Sequence, residues 1–596
     1  MSLPHRDEVP AGEKWDPSIV FDSPADWDAA ADAVERRLDD LEAYEGRAVE
    51  SGETLADLLE LVEDLRVVRR GELWLYALLT AYVDTTDDAA RQREARYREL
   101  DAAMDEALSF LEPELRRAGR DRVDDLVAST PRLADFAAYL DRLLAGADHA
   151  LSPAAESALA SVGPSLRAGS DVSRAITDGD VATPTVETPD GDSVTLTSGT
   201  VSRLLQSRDR AFRREVYERR REALTTHRHG MAAAYVERVR ADTRLAEVRG
   251  YDSALSMRLE GRFPVDAYET VVDGVLDRLD PHHRLLAARD RVVEGDDLRP
   301  WDRHVPLAAG DPPEVPYEEA TDLLCAALAP LGAAYVDRLR SVLDERRIDV
   351  RATTNKRRGP KAMALTSVAN GPFVALNYDG GLRAFYLFAH ELGHVMHRLL
   401  ASDEQRPVDQ AIPDHVAEVP SFVHETLVAD YLAETWEGAD ARHAVAVFLD
   451  KLPTYRAARG ARFVHGLHRA VADGADPGPD DLDDRHRSLV DTVREPITPD
   501  ERTGAGWQEI DRSRDPYHAY LYAVGSVGAL SLTRALREDD LTPEQYREML
   551  ARGRSVRPNE AFAPTLDFTD EATVARGVRA YAERVDRLLD SVAAAE

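Results

Sequence analysis

The chain has 596 residues, with 110 Asp and Glu against 75 Lys and Arg and a formal net charge of −35. That acid excess disfavours nucleic acid and anionic membrane surfaces as partners, because both select a basic footprint, while 43% hydrophobic residues supply a real core and exclude disorder over most of the length. Only four cations are lysines, Lys14, Lys356, Lys361 and Lys451; this pattern resembles the proteins of salt-loving microbes, where a Debye length of about 3 Å at molar salt screens self-repulsion.

In chain order the pattern is mostly helical. Ser23-Pro24-Ala25-Asp26 is a helix start, with serine as N-cap and proline in the first turn, and Trp27, Val34, Leu38 and Leu41 then recur on one face. Similar periodicity predicts helices over 55–70, 73–83, 87–111, 133–144, 208–244 and 268–290. The apolar 73–83 segment is far short of the roughly 20 residues that span a bilayer, and the first residues carry no apolar leader. At 183–197, alternating β-branched residues around Pro189-Asp190-Gly191-Asp192 predict a hairpin. A boundary is placed near residue 200, giving an N-terminal helical domain over 1–200 and a second domain over 201–596. Residues 294–316 read as loop. Cys325, the single cysteine, lies in an apolar run and is expected in the core; with no disulfide partner it implies a reducing compartment, so a soluble cytoplasmic protein is expected. Residues 362–368 and 373–378 read as two short strands joined by Ala369-Asn370-Gly371-Pro372, ahead of a long helix over about 382–400.

That helix contains His390-Glu391-Leu392-Gly393-His394. Histidines four apart lie one turn above the other on a single face, so both can reach one zinc ion, and Glu391 lies beside the metal where it can take a proton from metal-bound water. A catalytic zinc takes three protein ligands and keeps one open position. His397 shares the face, but a straight helix puts it about 10 Å along the axis from His390, which makes it a supporting or packing histidine. A better third ligand lies in Ala417-Glu418-Val419-Pro420-Ser421-Phe422-Val423-His424-Glu425. Pro420 belongs in a first helical turn, which puts Glu418 at a helix start and Glu425 two turns along; either fits. Gly393 costs roughly 1 kcal/mol against alanine in a helix, a cost explained by room beside the metal or by close helix packing.

Pro372-Phe373-Val374-Ala375-Leu376-Asn377-Tyr378, the His390–Glu391–His394 helix, Glu418-Val419-Pro420-Ser421 and Tyr251-Asp252-Ser253-Ala254-Leu255 together resemble the oligoendopeptidase F group of the thimet oligopeptidase family. The resemblance spans nearly the whole chain, from the Trp15 to Trp27 region onward. It implies a mainly α fold: a two-part helical shell around a deep substrate channel, with a small β-hairpin or sheet next to the active-site helix. It also implies one zinc per chain held by His390, His394 and Glu418, with Glu391 as general base, and short unfolded peptides as substrates.

The 373–378 strand, with Phe373, Ala375 and Asn377, is expected to pair with the substrate backbone, and the nearby Lys356-Arg357-Arg358…Lys361 loop either attracts a peptide carboxylate or is simply solvated. In the family, a C-terminal segment with a histidine and several tyrosines beside a glycine-rich loop serves the developing oxyanion. Here it is Gly504-Ala505-Gly506-Trp507 followed by Tyr517, His518, Tyr520 and Tyr522. Where the group has Ile-Pro-His-Phe-Tyr, this chain has Ile510-Asp511-Arg512-Ser513-Arg514, which leaves Arg512 or His518 as the donor or shifts substrate preference and rate. The alternatives are a zinc-containing peptide-binding protein impaired in catalysis and an exopeptidase of another HExxH family.

Overall fold

The computed structural model describes residues 3–293, 297–357, 362–510 and 516–595. It is mostly helical, with one two-stranded and one three-stranded sheet. None of its described helices is long and apolar enough to cross a membrane. The chain forms two compact units, each assembled from three separate stretches: residues 1–147, 314–428 and 535–565 in the first, and 148–313, 429–534 and 566–596 in the second. The 185–195 hairpin and residue 200 lie inside the second unit.

Local chemistry explains most elements. Ser23 caps the helix Pro24–Glu35, its hydroxyl accepting from the Asp26 N–H, and Trp27 is fully buried with its indole N–H donating to the Leu73 carbonyl at 2.9 Å. Thr185–Glu187 and Ser193–Thr195 pair antiparallel around the Asp190-Gly191 turn. The periodicity over 208–244 continues through two helices, Arg210–Thr225 and Arg228–Val248. At the break, the Thr225 and Thr226 hydroxyls bond back to the carbonyls of Arg221 and Glu222, the competition with the helix ladder that these side chains offer. Cys325 is buried in the helix Tyr317–Ala327.

In the first unit the three-stranded sheet consists of β1 (Ile348–Asp349), β2 (Ala362–Ser367) and β3 (Gly371–Leu376). The order is β1-β3-β2, with β3 parallel to β1 and antiparallel to β2. One face packs Leu365, Phe373 and Ala375 on Trp15, Leu75, Leu79 and Tyr82. The other face meets helix α1 (Leu382–Glu404). Burial on both faces is why 372–376 reads as an unbroken apolar run. Each leucine, valine or phenylalanine fully buried there contributes roughly 1.5–3 kcal/mol. Lys356 is not a solvated loop cation. It is buried, forms a 2.7 Å ion pair with Asp349 and donates to the Leu376 carbonyl at 2.5 Å, so it ties the end of β3 to β1. Arg357 pairs with Glu94 at 2.8 Å, and Arg358 and Lys361 lie outside the described residues.

Helix α2 (Asp414–Thr435) departs from expectation. Pro420 sits inside it rather than in its first turn, and Glu418 is one full turn past the helix start. A Cβ built on Gly393 of α1 would stand 2.4 Å from Ser421 Cα and 2.8 Å from the Pro420 carbonyl carbon. The glycine therefore serves close packing of α1 on α2, and proline at 420 asks for no backbone N–H bond at the point of contact.

In the second unit, helices α3 (Thr454–Ala472) and α4 (Pro479–Val493) pack together, and the tight turn Gly504–Glu509 closes on α4. Gly506 is needed there: a Cβ would meet His486 Cε1 at 2.5 Å. Trp507 is fully buried, donating to Asp483 Oδ1 at 2.6 Å and stacked 6.4 Å from Tyr235.

Candidate metal centre

The helix spacing puts His390 and His394 on one face of α1, their ring centres 4.9 Å apart and nearly perpendicular. Because α2 lies against Gly393, Glu418 reaches both: its Oε2 is 3.2 Å from His390 Nε2 and 3.9 Å from His394 Nε2. Among the described residues these three form the single group whose donor atoms all lie within 4.8 Å of one another. The two Nε2 to Oε2 separations bracket the roughly 3.3 Å edge of a tetrahedron built with metal bonds of about 2 Å. Two imidazoles and one carboxylate are the donor set of a catalytic zinc with a fourth position open, so the residues present fit the metal.

Glu425, the other candidate ligand, holds the opposite ring nitrogen: His390 Nδ1 donates to its Oε1 at 2.7 Å. That bond fixes the tautomer and turns the Nε2 lone pair toward the cluster. Burial opposes charge on His390, but Glu418 and Glu425 outweigh it and raise its pKa to about 10; His394, with Glu418 only partly offsetting burial, is pushed down to about 3. A divalent cation bound at the Nε2 atoms would displace any proton held there.

Glu391 is buried, and burial lifts its carboxyl above the usual range, with Glu418 adding to the rise and His390 opposing it. The Ala364 N–H of β2 donates to it. Arg398, not singled out in the sequence, donates to the Ala364 carbonyl at 3.2 Å and to Thr366 Oγ1 at 2.9 Å, and its charge offsets that of Glu391. An arginine on the largely buried α1 is the sequence signal that points to it. His424 joins the two structural layers, with Nδ1 at 3.0 Å from the Ala389 carbonyl and Nε2 at 2.7 Å from the Tyr335 hydroxyl. His397 packs edge-on against Phe562 and stays out of the cluster.

The expected substrate strand differs from the structure. β3 is the central strand: β2 pairs with it over its whole length and β1 at Val374 and Ala375, so it offers no free edge there. Phe373 and Ala375 are fully buried core side chains, and Asn377 follows the strand half-buried. The outer edge belongs to β2, where Ala362, Ala364 and Thr366 face away from β3.

Tyr517, His518, Tyr520 and Tyr522 lie in the second unit. Tyr517 and Tyr520 are buried among Tyr268, His468 and Phe263. His518 and Tyr522 are half-buried, ring against ring at 5.5 Å, and open onto a cavity. Arg512 and Arg514 fall outside the described residues.

Comparison with known proteins places the chain in a family. Residues 203–573 match the family model described as Peptidase family M3, and 114–182 match one described as Oligopeptidase F. The chain is 25% identical to Oligopeptidase PepF of Bacillus subtilis, over 98% of this chain and 88% of that protein. It is 26% identical to Group B oligopeptidase PepB of Streptococcus agalactiae, over 99% and 98%. Among solved structures, a chain from Chlamydophila abortus superposes with a TM-score of 0.89 at 24% identity, covering 99% of this chain and 100% of that one. Oligoendopeptidase-F from Enterococcus faecium gives 0.72 at 22%, covering 95% and 99%.

Proposed function

The chain belongs to peptidase family M3, and from that premise we propose that it is a zinc-dependent endopeptidase of short, unfolded oligopeptides, with Glu391 as the general base. The observation that carries this reading is the convergence of His390, His394 and Glu418 donors with the Glu391 carboxyl on the next residue of the same helix. When bound, zinc supplies a Lewis acid that polarises a carbonyl and lowers the pKa of a water ligand toward roughly 7.

The protein's own groups do the rest. Glu425 keeps His390 oriented through Nδ1. Burial raises the basicity of Glu391, and the Ala364 N–H holds its carboxylate in place. It takes the proton of the attacking water and returns it to the leaving amine. A peptide laid along the outer edge of β2 would find backbone groups of Ala362 and Thr366, a contact that tolerates many side chains. Substrate contact from the C-terminal segment falls to His518 and Tyr522, with Tyr517 and Tyr520 supporting them as packed rings. We also read the acid excess as adaptation to molar salt in a cytoplasmic enzyme; the melting temperature is then expected to rise with potassium chloride, and a salt-independent melt would refute this.

The decisive experiment is Glu391→Gln, assayed on a quenched ten-residue peptide blocked at both ends. Zinc content is expected to stay stoichiometric while cleavage falls by roughly 100- to 10,000-fold; undiminished cleavage would sink the mechanism.

A further inference from the structure

The second unit encloses a cavity of about 820 Å³, a size that in other proteins encloses ligands of several hundred daltons. In a chain of net charge −35 its wall is basic: seven arginines against two carboxylates, Asp178 and Glu509. Glu509 is gripped by two of those arginines, with Arg220 Nε at 3.5 Å and Arg221 Nη1 at 3.1 Å. The cavity therefore already contains one carboxylate held between guanidinium groups.

A second set faces the same space without one. Among the described residues no carboxylate stands within 4.0 Å of the guanidinium groups of Arg303, Arg459 or Arg494. Arg303 Nε donates to His304 Nε2 at 2.9 Å and Arg459 Nη1 to His486 Nε2 at 3.0 Å, both neutral acceptors. Asp450, whose charge Arg303 feels, is already taken by Arg289 and by His304 Nδ1. Burial and mutual repulsion weaken the charged forms, pulling Arg303 down to about 10 and Arg459 to about 9. Half-buried guanidinium groups crowded together without a carboxylate are costly to the fold, and the planar fork of arginine matches a carboxylate.

We propose that Arg303, Arg459 and Arg494 form a carboxylate-binding site, which on the peptidase reading above accepts acidic side chains or the free C-terminus of a peptide. The volume suits a carboxylate carried on a larger molecule, and His518 and Tyr522 open onto the same space. Substrates rich in Asp and Glu would then be bound in preference to neutral ones.

The test uses the full chain carrying Glu391→Gln, so that peptides stay intact, at one fixed potassium chloride concentration. Calorimetry compares an N-acetylated ten-residue peptide with two glutamates and a free C-terminus against its glutamine and amide counterpart. At least tenfold tighter binding of the acidic peptide is expected, falling to within twofold in both Arg494→Gln and Arg459→Gln. Displacement by glutarate identifies a site for carboxylates in general; no displacement identifies one that reads them on a peptide. Equal affinities, a preference that survives both substitutions, or tighter binding of inorganic phosphate than of the acidic peptide overturns the proposal. Removing one of several mutually repelling cations is expected to leave the melting temperature no lower than the parent's. Should either variant fail to fold, the parent alone decides, because the acidic peptide must then raise its melting temperature more than the neutral one at equal concentration. Cleavage of an uncharged blocked peptide by the unsubstituted protein reports the peptidase reading separately, so the two can fail independently.

Discussion

Each unit carries a crowded cluster of like charge, buried in the first and half-buried in the second, and the two are opposite in sign. In the first, Glu391, Glu418 and Glu425 crowd around His390 and His394. In the second, Arg303, Arg459 and Arg494 share a cavity with too few carboxylates to match them. Purely structural ion pairs in the same molecule look different. Asp302 is fully buried and takes both Arg210 and Arg213, and Lys356 takes Asp349, so each charge is met by its opposite. Burying like charges costs several kcal/mol per ion unless something compensates. On the two readings proposed above, a ligand completes each cluster: a cation in one, a carboxylate in the other.

Removing the ligands of the cation breaks that contrast most severely. His394→Ala or Glu418→Ala is expected to lose the metal in elemental analysis and to lower cleavage by roughly 1,000-fold or more; stoichiometric metal in either variant would end the assignment. Acid comes next. His397, His415 and His424 of the first unit are buried, and burial pushes them down to about 3, 4 and 3. They stay neutral in the folded state while the unfolded chain takes protons below about 6.5. Their contribution is thus complete above that pH and is lost as pH falls toward 4, at about 1.4 kcal/mol per histidine per unit. Melting of metal-free protein at constant salt is expected several degrees lower at pH 5.0 than at pH 7.5; a flat profile would mean that these histidines do not couple pH to stability. Glu425→Gln keeps the shape of the site but weakens the tautomer lock, with about 10- to 100-fold lower metal affinity expected in chelator competition. Gly393→Ala is the smallest change, sharpening the role of the helix contact. Its methyl must displace the Pro420–Ser421 backbone, at about 1–3 kcal/mol in thermal or denaturant unfolding.

Much of this site is legible in the chain's local patterns. The i, i+4 histidines, the glutamate between them and the preceding strands all follow helical and strand periods, which neighbouring residues set among themselves. The limits of legibility are also physical. Pro420 suggests a helix start because proline is best tolerated there, yet the helix begins at Asp414 and runs on through Pro420, packed closely on Gly393. The apolar run at 373–376 is a strand as expected, but its position in the middle of the sheet depends on β1 and β2, and no single segment announces its neighbours. Lys356 reads as a surface cation because its partners, Asp349 and the Leu376 carbonyl, come within reach only when the sheet forms.

The sequence by itself determined the chemistry available: mostly helical elements, two imidazoles one turn apart with a glutamate between them, an acid-rich surface and a few lysines. The residues of α2 left Glu418 and Glu425 open and only the family resemblance named Glu418; the packing of the two helices at Gly393 brings Glu418 to the imidazole Nε2 atoms and Glu425 to Nδ1. Tertiary structure alone gathered arginines from residues 174 to 494 around one cavity, since chain separation carries no memory of distance in space once the helices pack.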